Sequence, residues 1–146
     1  MFKIFLSLLL SFTYLLSTDL SDFINKQNCS QIIDKQVFTI CYDYKMKGAK
    51  YVSYSLDGNK VNSVNIKKRS KFYTESNLPL KFRSTNQDYV NSGYDRGHLA
   101  SDASFDYDEK VLVKTYTMAN IIPQSPKVNQ KTWIKTEKLE RLIASQ

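Results

Sequence analysis

SGYDRGHLA, residues 92–100, holds the only histidine of a 146-residue chain and two of its four glycines. An acid, an arginine and a glycine stand directly before that imidazole, as Asp95, Arg96, Gly97 and His98. A lone histidine is more often a structural or surface residue than a catalyst. Its meaning therefore depends on what accompanies it along the chain.

The chain turns on Gly93 and Gly97 around this histidine. Upstream, QVFTICYDY (residues 36–44) is β-branched and aromatic and reads as a strand. In AKYVSYSLDGNKV (residues 49–61), Tyr51, Ser53 and Ser55 alternate with Val52, Tyr54 and Leu56 ahead of the Asp57-Gly58 turn signal, so a second strand pairs with the first as a hairpin. Residues 62–90 are polar and without periodicity, which predicts a long surface excursion. Downstream, KVLVKTYTMANII (residues 110–122) is the most strand-like or buried stretch of the second half. SPKVNQKTWIKTEKLERLIAS (residues 125–145) reads as a helix, with Ser125 as cap and Pro126 at its first position. Its apolar residues are Trp133, Ile134, Leu139, Leu142 and Ile143. No repeat or low-complexity tract interrupts the chain.

Length and a 42% hydrophobic content suit one domain with a core that needs no metal staple. MFKIFLSLLLSFTYLLS (residues 1–17) has the layout of a secretory signal; an uncleaved membrane anchor is the alternative. Residues 18–35 follow as an N-terminal arm, helical or irregular from 21 onward. Removing residues 1–17 takes Lys3 and no acid with it, lowering the formal charge from +7 to +6. A basic exported protein favours polyanions such as nucleic acid, anionic lipid or cell-wall polymers, although the same charge serves ordinary solubility. In an oxidising compartment, periplasmic or secreted, Cys29 and Cys41 are expected to form a disulfide. Two buried thiols are the alternative, and metal ligation is disfavoured because no histidine lies near either.

DRGH is followed by NIIPQSP at 120–126, by VNQKTW at 128–133, and by Glu137 and Arg141 on the expected helix. These motifs, in this order, resemble the DNA/RNA non-specific endonucleases, metal-dependent nucleases of the ββα-metal (His-Me finger) class. The resemblance runs from about Tyr42 to the end of the chain. It implies an α+β fold with an antiparallel sheet, and a partial endonuclease domain over residues 36–146 whose sheet is incomplete. With so few strands, the helix's Ile134, Leu139, Leu142 and Ile143 are expected to lack a full sheet face to pack on.

The resemblance assigns His98 as general base, a role an imidazole fills because it is neutral near physiological pH yet accepts a proton from water. Asn129 matches the metal ligand, its amide oxygen suiting Mg²⁺ or Mn²⁺; a helix cap is the compatible alternative. Glu137, about two turns on, would hold metal-bound water. Arg96 and Arg141 match phosphate-contacting arginines, Arg96 standing also among the catalytic set with Glu137 and Asn120. Arg69 is expected to be another phosphate contact, its alternative being a solvated charge run. Asp95 and Asn120 are expected to brace the loop or orient His98. Trp133 reads as core, with base stacking as the alternative. The tyrosines read as strand and core residues or as a stacking platform.

A single imidazole argues against attack through an RNA 2′-hydroxyl, which commonly wants a separate base and acid. Water is then the nucleophile, and both DNA and RNA serve as substrates, as the resemblance also implies, leaving 5′ phosphates. The rival is a non-catalytic exported protein that binds nucleic acid or another polyanion. Membrane contact is expected only if residues 1–17 stay attached, and the sequence leaves oligomeric state open.

Overall fold

The computed structural model describes residues 28–146. The expected signal and most of the arm lie outside the described residues. The chain opens on a three-stranded antiparallel sheet in the order β1 (Gln31–Asp34), β2 (Thr39–Asp43) and β3 (Gly48–Ser53). The β2–β3 hairpin is the one expected. β1 corrects the last part of the arm read as helical or irregular, residues 31–34: Ile33 pairs opposite Ile40, and both are buried. Two β-branched residues that find a buried cross-strand partner outweigh the polar residues around them. Cys29 and Cys41 form the expected disulfide, 5.1 Å between Cα atoms, which ties the residues ahead of β1 to the fully buried middle of β2.

Residues 62–90 do more than run over the surface. Tyr73 bridges to Thr117, donating its N–H to the Tyr116 carbonyl and accepting from the Met118 N–H. Glu75 and Leu78 are buried, Glu75 in an ion pair with Lys35 and accepting the Thr117 hydroxyl at 2.9 Å. A segment without periodicity is thus fixed by a few anchors to distant residues, which no local pattern reveals.

Residues 110–122 hold a second correction. Their first half is helix α1 (Glu109–Thr115), capped by Asp108, whose carboxylate accepts the N–H groups of Lys110 and Val111. That cap satisfies orphan donors of the first turn, and burial of Leu112 and Thr115 on one face decides against the strand that the valines suggest. Beyond it, Met118–Asn120 forms a buried 3-10 turn that leads into β5 (Ile121–Gln124).

β5 pairs antiparallel with β4 (Asp95–His98). A Cβ at Gly97 in β4 would lie 2.3 Å from the Gln124 side chain, so a larger residue there would displace it. The core forms where Phe105, Ala100 and Ala119 cover Ile33, Ile40 and Tyr42 of the first sheet and Phe38 of the β1–β2 connection. Phe105 contacts the Phe38 ring at 5.7 Å and the Tyr54 ring at 5.5 Å.

The expected C-terminal helix begins at Pro126, with the Val128 N–H reaching Ser125 Oγ at 3.4 Å. It is not regular, for Val128–Trp133 is a π-helical turn that passes into α2 (Ile134–Ala144). The end of α2 docks on the Asp57-Gly58 turn, where a Cβ on Gly58 would fall 2.0 Å from the Ala144 carbonyl oxygen. Leu139, Leu142 and Ile143 remain 55%, 56% and 61% exposed, as expected from so few strands.

The disulfide closes a short loop, so Cys29→Ser with Cys41→Ser should lower stability by about 3 kcal/mol. Urea denaturation checks this; an unchanged stability would mean that the bond constrains nothing in the unfolded chain.

Candidate active site

Strand geometry places Arg96 and His98 on one face of β4 and Asp95 and Gly97 on the other. The first face meets Phe72. Its ring lies under the Arg96 guanidinium at 4.7 Å and against the His98 ring at 5.4 Å. Tyr116, next to Phe72, meets the His98 ring at 5.0 Å in an edge arrangement. His98 therefore packs against a pair of aromatic rings that also touch each other, 5.0 Å apart, and its Nε2 is buried without a hydrogen-bond partner among the described residues. Burial disfavours the imidazolium and lowers the His98 pKa below 6.5; Asp102 opposes this and Arg69 adds to it.

Asp95, at the start of β4, reaches the helix. Its Oδ2 accepts the Asn129 amide at 3.0 Å and the Gln130 amide at 2.8 Å, and these bonds hold its carboxyl below the ordinary range. A carboxylate only accepts, so it fixes which end of the Asn129 amide faces it. The NH₂ is taken and the carbonyl oxygen is turned away. Asn129 is thus no helix cap. Trp133 adds a second tether, its indole N–H donating to the His98 carbonyl at 3.0 Å. It is neither plain core nor a free stacking surface.

The π turn gives the helix its functional face. Two α-helical turns cover about seven residues, and an i→i+5 turn takes up about one more. Eight residues separate Asn129 from Glu137, so the wide turn returns both to one side, with Trp133 between them and Arg141 one turn on. A regular α-helix would rotate Glu137 by about 80° from Asn129. Glu137 is pushed up to about 7 by burial first and by the negative Asp102 second, with Arg141 and a hydrogen bond to Ser101 opposing. Arg141 Nη1 lies 3.5 Å from Ser101 Oγ.

Arg69, Arg141 and Glu137 therefore gather around Ser101 and Asp102, just beyond His98. Arg96 stands apart, exposed on the far side of Phe72 and held by Asn86 Oδ1 at 3.0 Å. Asn120, expected both among the catalytic residues and as a brace of the loop, is placed only as the brace. It is fully buried, its Oδ1 accepting the Ala100 N–H and its Nδ2 donating to the Ala100 and Thr115 carbonyls. No substrate reaches it. Sequence reasoning missed Phe72, Asp102 and Tyr116. For Asp102 there was a signal, an acid four residues after the histidine. For Phe72 and Tyr116 there was none, since only tertiary packing brings them to the imidazole.

No group of three or more His, Cys, Asp or Glu side chains placed to hold a metal occurs among the described residues. A divalent ion would rest on few protein atoms here. The residues fit that arrangement: Asn129 offers an oriented amide oxygen, and Glu137 and Asp102 repel each other in a way that a cation relieves.

Comparison with known proteins places these features. Residues 16–146 match the model of the DNA/RNA non-specific endonuclease family, a span that starts well before Tyr42. The chain is 31% identical over 114 residues to human mitochondrial Endonuclease G, covering 78% of this chain and 38% of that protein. It is 30% identical over 113 residues to a nuclease of Nostoc sp., covering 77% and 40%. Among solved structures it resembles a chain of the EndoG/EndoGI complex, with a TM-score of 0.73 and 26% identity, over 77% of this chain and 47% of that one. The chain thus spans well under half the length of these two curated relatives. Its motifs, its α+β fold and these matches agree: the chain belongs to the DNA/RNA non-specific endonuclease family.

Proposed function

We propose that the chain carries the catalytic half-site of an exported, Mg²⁺-dependent endonuclease that hydrolyses phosphodiester bonds of DNA and RNA. One observation carries the reading. The only imidazole of the chain is packed against two adjoining aromatic rings, kept neutral by burial, and tethered through Asp95 and Trp133 to the helix that bears Asn129 and Glu137.

Neutral His98 takes a proton from the attacking water. Nε2 is sealed from solvent, so the exchange falls to Nδ1, in the tautomer with hydrogen on Nε2. The depressed pKa keeps the base free down to mildly acidic pH. Asn129 and Glu137 are the residues that would hold the metal, Asn129 directly and Glu137 through water. When bound, such an ion supplies charge stabilisation to a transferring phosphate. Arg69 and Arg141 offer forked donors to phosphate oxygens next to His98, and Arg96 extends the positive strip along the face of β4. Nothing in this arrangement calls on a 2′-hydroxyl, which supports action on both sugars. Export finds support in the Cys29–Cys41 disulfide, a bond typical of oxidising compartments.

Replacement His98→Ala should lower plasmid cleavage about 10²-fold or more with nucleic-acid retention nearly intact. Retention with no cleavage by the parent protein would favour a pure binding role. The pH sign follows from the depressed imidazole. Lowering pH protonates the base and removes activity, so the acid limb of kcat/KM should fall below the ordinary value of 6.5. A limb above 6.5 would contradict the buried, neutral base.

The metal assignment has its own test. Asn129→Ala should raise the Mg²⁺ concentration for half-maximal activity. Asp95→Asn should weaken Mg²⁺ by about 10- to 100-fold, because an asparagine there can donate to the Asn129 oxygen and turn the amide. Calorimetric titration with Mg²⁺ reads both without relying on turnover. Unchanged affinity in both variants would remove Asn129 from the site.

A further inference from the structure

The Arg69 guanidinium is held by two carboxylates. Its Nη2 donates to Asp106 Oδ2 at 3.1 Å, and its Nε lies 3.6 Å from Asp102 Oδ2. The two acids differ in setting. Asp106 is 5% exposed and backs the arginine from the interior, whereas Asp102 is 24% exposed and opens the 3-10 turn Asp102–Ser104, four residues past His98. The same Asp102 Oδ2 accepts the Tyr116 hydroxyl at 2.5 Å, and Tyr116 is the ring that walls His98. One carboxylate oxygen therefore joins Arg69 to the side chain that seats the imidazole.

We propose that Asp102 is a positioning residue that fixes the Arg69 guanidinium, and with it the bound phosphate, relative to His98. This rests on the reading of Arg69 as a phosphate contact. A guanidinium has five N–H donors in a rigid plane. With Asp102 paired to Nε and Asp106 bonded to Nη2, the plane is set, and both Nη1 hydrogens and the second Nη2 hydrogen, the forked end, are left for incoming phosphate oxygens. Asp106 alone grips one nitrogen and leaves the plane free to turn about it. Asp102 removes that rotation, so less ordering remains to be done when the phosphate arrives. Its charge also weakens the attraction of Arg69 for an anion, which gives a rival sign: if Asp102 only neutralised Arg69, its removal would tighten substrate binding.

The experiment compares Asp102→Ala, Asp102→Asn, Arg69→Ala and the Asp102→Ala/Arg69→Ala double variant in the full chain. Steady-state cleavage of a short duplex gives KM and kcat, and anisotropy of the same fluorescein-labelled duplex in chelator gives Kd. Asp102→Ala should raise KM and Kd about tenfold with kcat changed less. Asp102→Asn, which still accepts from Tyr116 and still faces Nε, should recover most of that loss. In the Arg69→Ala background, Asp102→Ala should add little. A simple folding defect gives the opposite split, a lower kcat at unchanged KM, and overturns the proposal, as do tighter binding by Asp102→Ala or a full effect without Arg69. Wild-type KM and Kd in Arg69→Ala would overturn the phosphate role of Arg69 and this proposal together. Weakened binding in Arg69→Ala but not in Asp102→Ala overturns this proposal alone. Should Asp102→Ala fail to fold, Asp102→Asn decides by the same KM and Kd, since a charge-driven neutralising role requires it to bind tighter than wild type and positioning requires it to stay near wild type.

Discussion

The Asp95 carboxylate accepts two amide hydrogens from the helix, and much of the site depends on that grip. Strand β4 and the π turn are 34 residues apart in sequence between Asp95 and Asn129, so nothing local holds the imidazole and the amide together. Asp95 does so at one end of the strand, and the His98 carbonyl, bonded to Trp133, does so at the other. Two points of attachment fix a direction as well as a distance. Small misplacements of reacting groups cost large factors in rate, and a strand clamped at both ends is a means of avoiding them. The same carboxylate sets the flip of the Asn129 amide, so one residue controls both the spacing of the parts and the polarity of the proposed ligand.

The electrostatics follow from this assembly. Bringing α2 against residues 98–102 buries Glu137, and this burial first and the nearby Asp102 second push its carboxyl up to about 7. It also places Arg141 near Ser101. The site thus holds acids that repel each other and arginines that are partly paired, a balance suited to receiving a cation and an anion together. His98 stands apart from this balance, its aromatic enclosure doing more to its protonation than any neighbouring charge.

Much of the site was legible in the sequence because its residues stand in short, ordered motifs. DRGH pointed to the proposed base and its brace, and N-Q-x-x-W to the proposed ligand, whereas Trp133, the tether to the His98 carbonyl, reads there only as core or stacking. The π turn was not legible. Eight residues between Asn129 and Glu137 looked like two ordinary turns, and only the i→i+5 geometry explains how they share a face. Phe72 and Tyr116 were hidden for another reason. Phe72 stands in a segment without periodicity and Tyr116 in one that reads as strand-like, and the role of each arises from a long-range contact, the bridge between Tyr73 and Thr117 that brings both beside His98. The fold divided likewise. The β2–β3 hairpin and the C-terminal helix followed local pattern, whereas β1 and α1 were decided by a buried partner and by the Asp108 cap.

The central claim is that the imidazole acts as a base in a site completed by a divalent ion, and chemical rescue addresses it most directly. His98→Ala leaves a space beside Phe72 and Tyr116 that free imidazole can enter. The account predicts that added imidazole restores plasmid cleavage by the variant in Mg²⁺ and restores none in chelator. Cleavage by the wild-type protein in excess chelator, or a variant that imidazole leaves silent in Mg²⁺ while it still binds DNA, would contradict it.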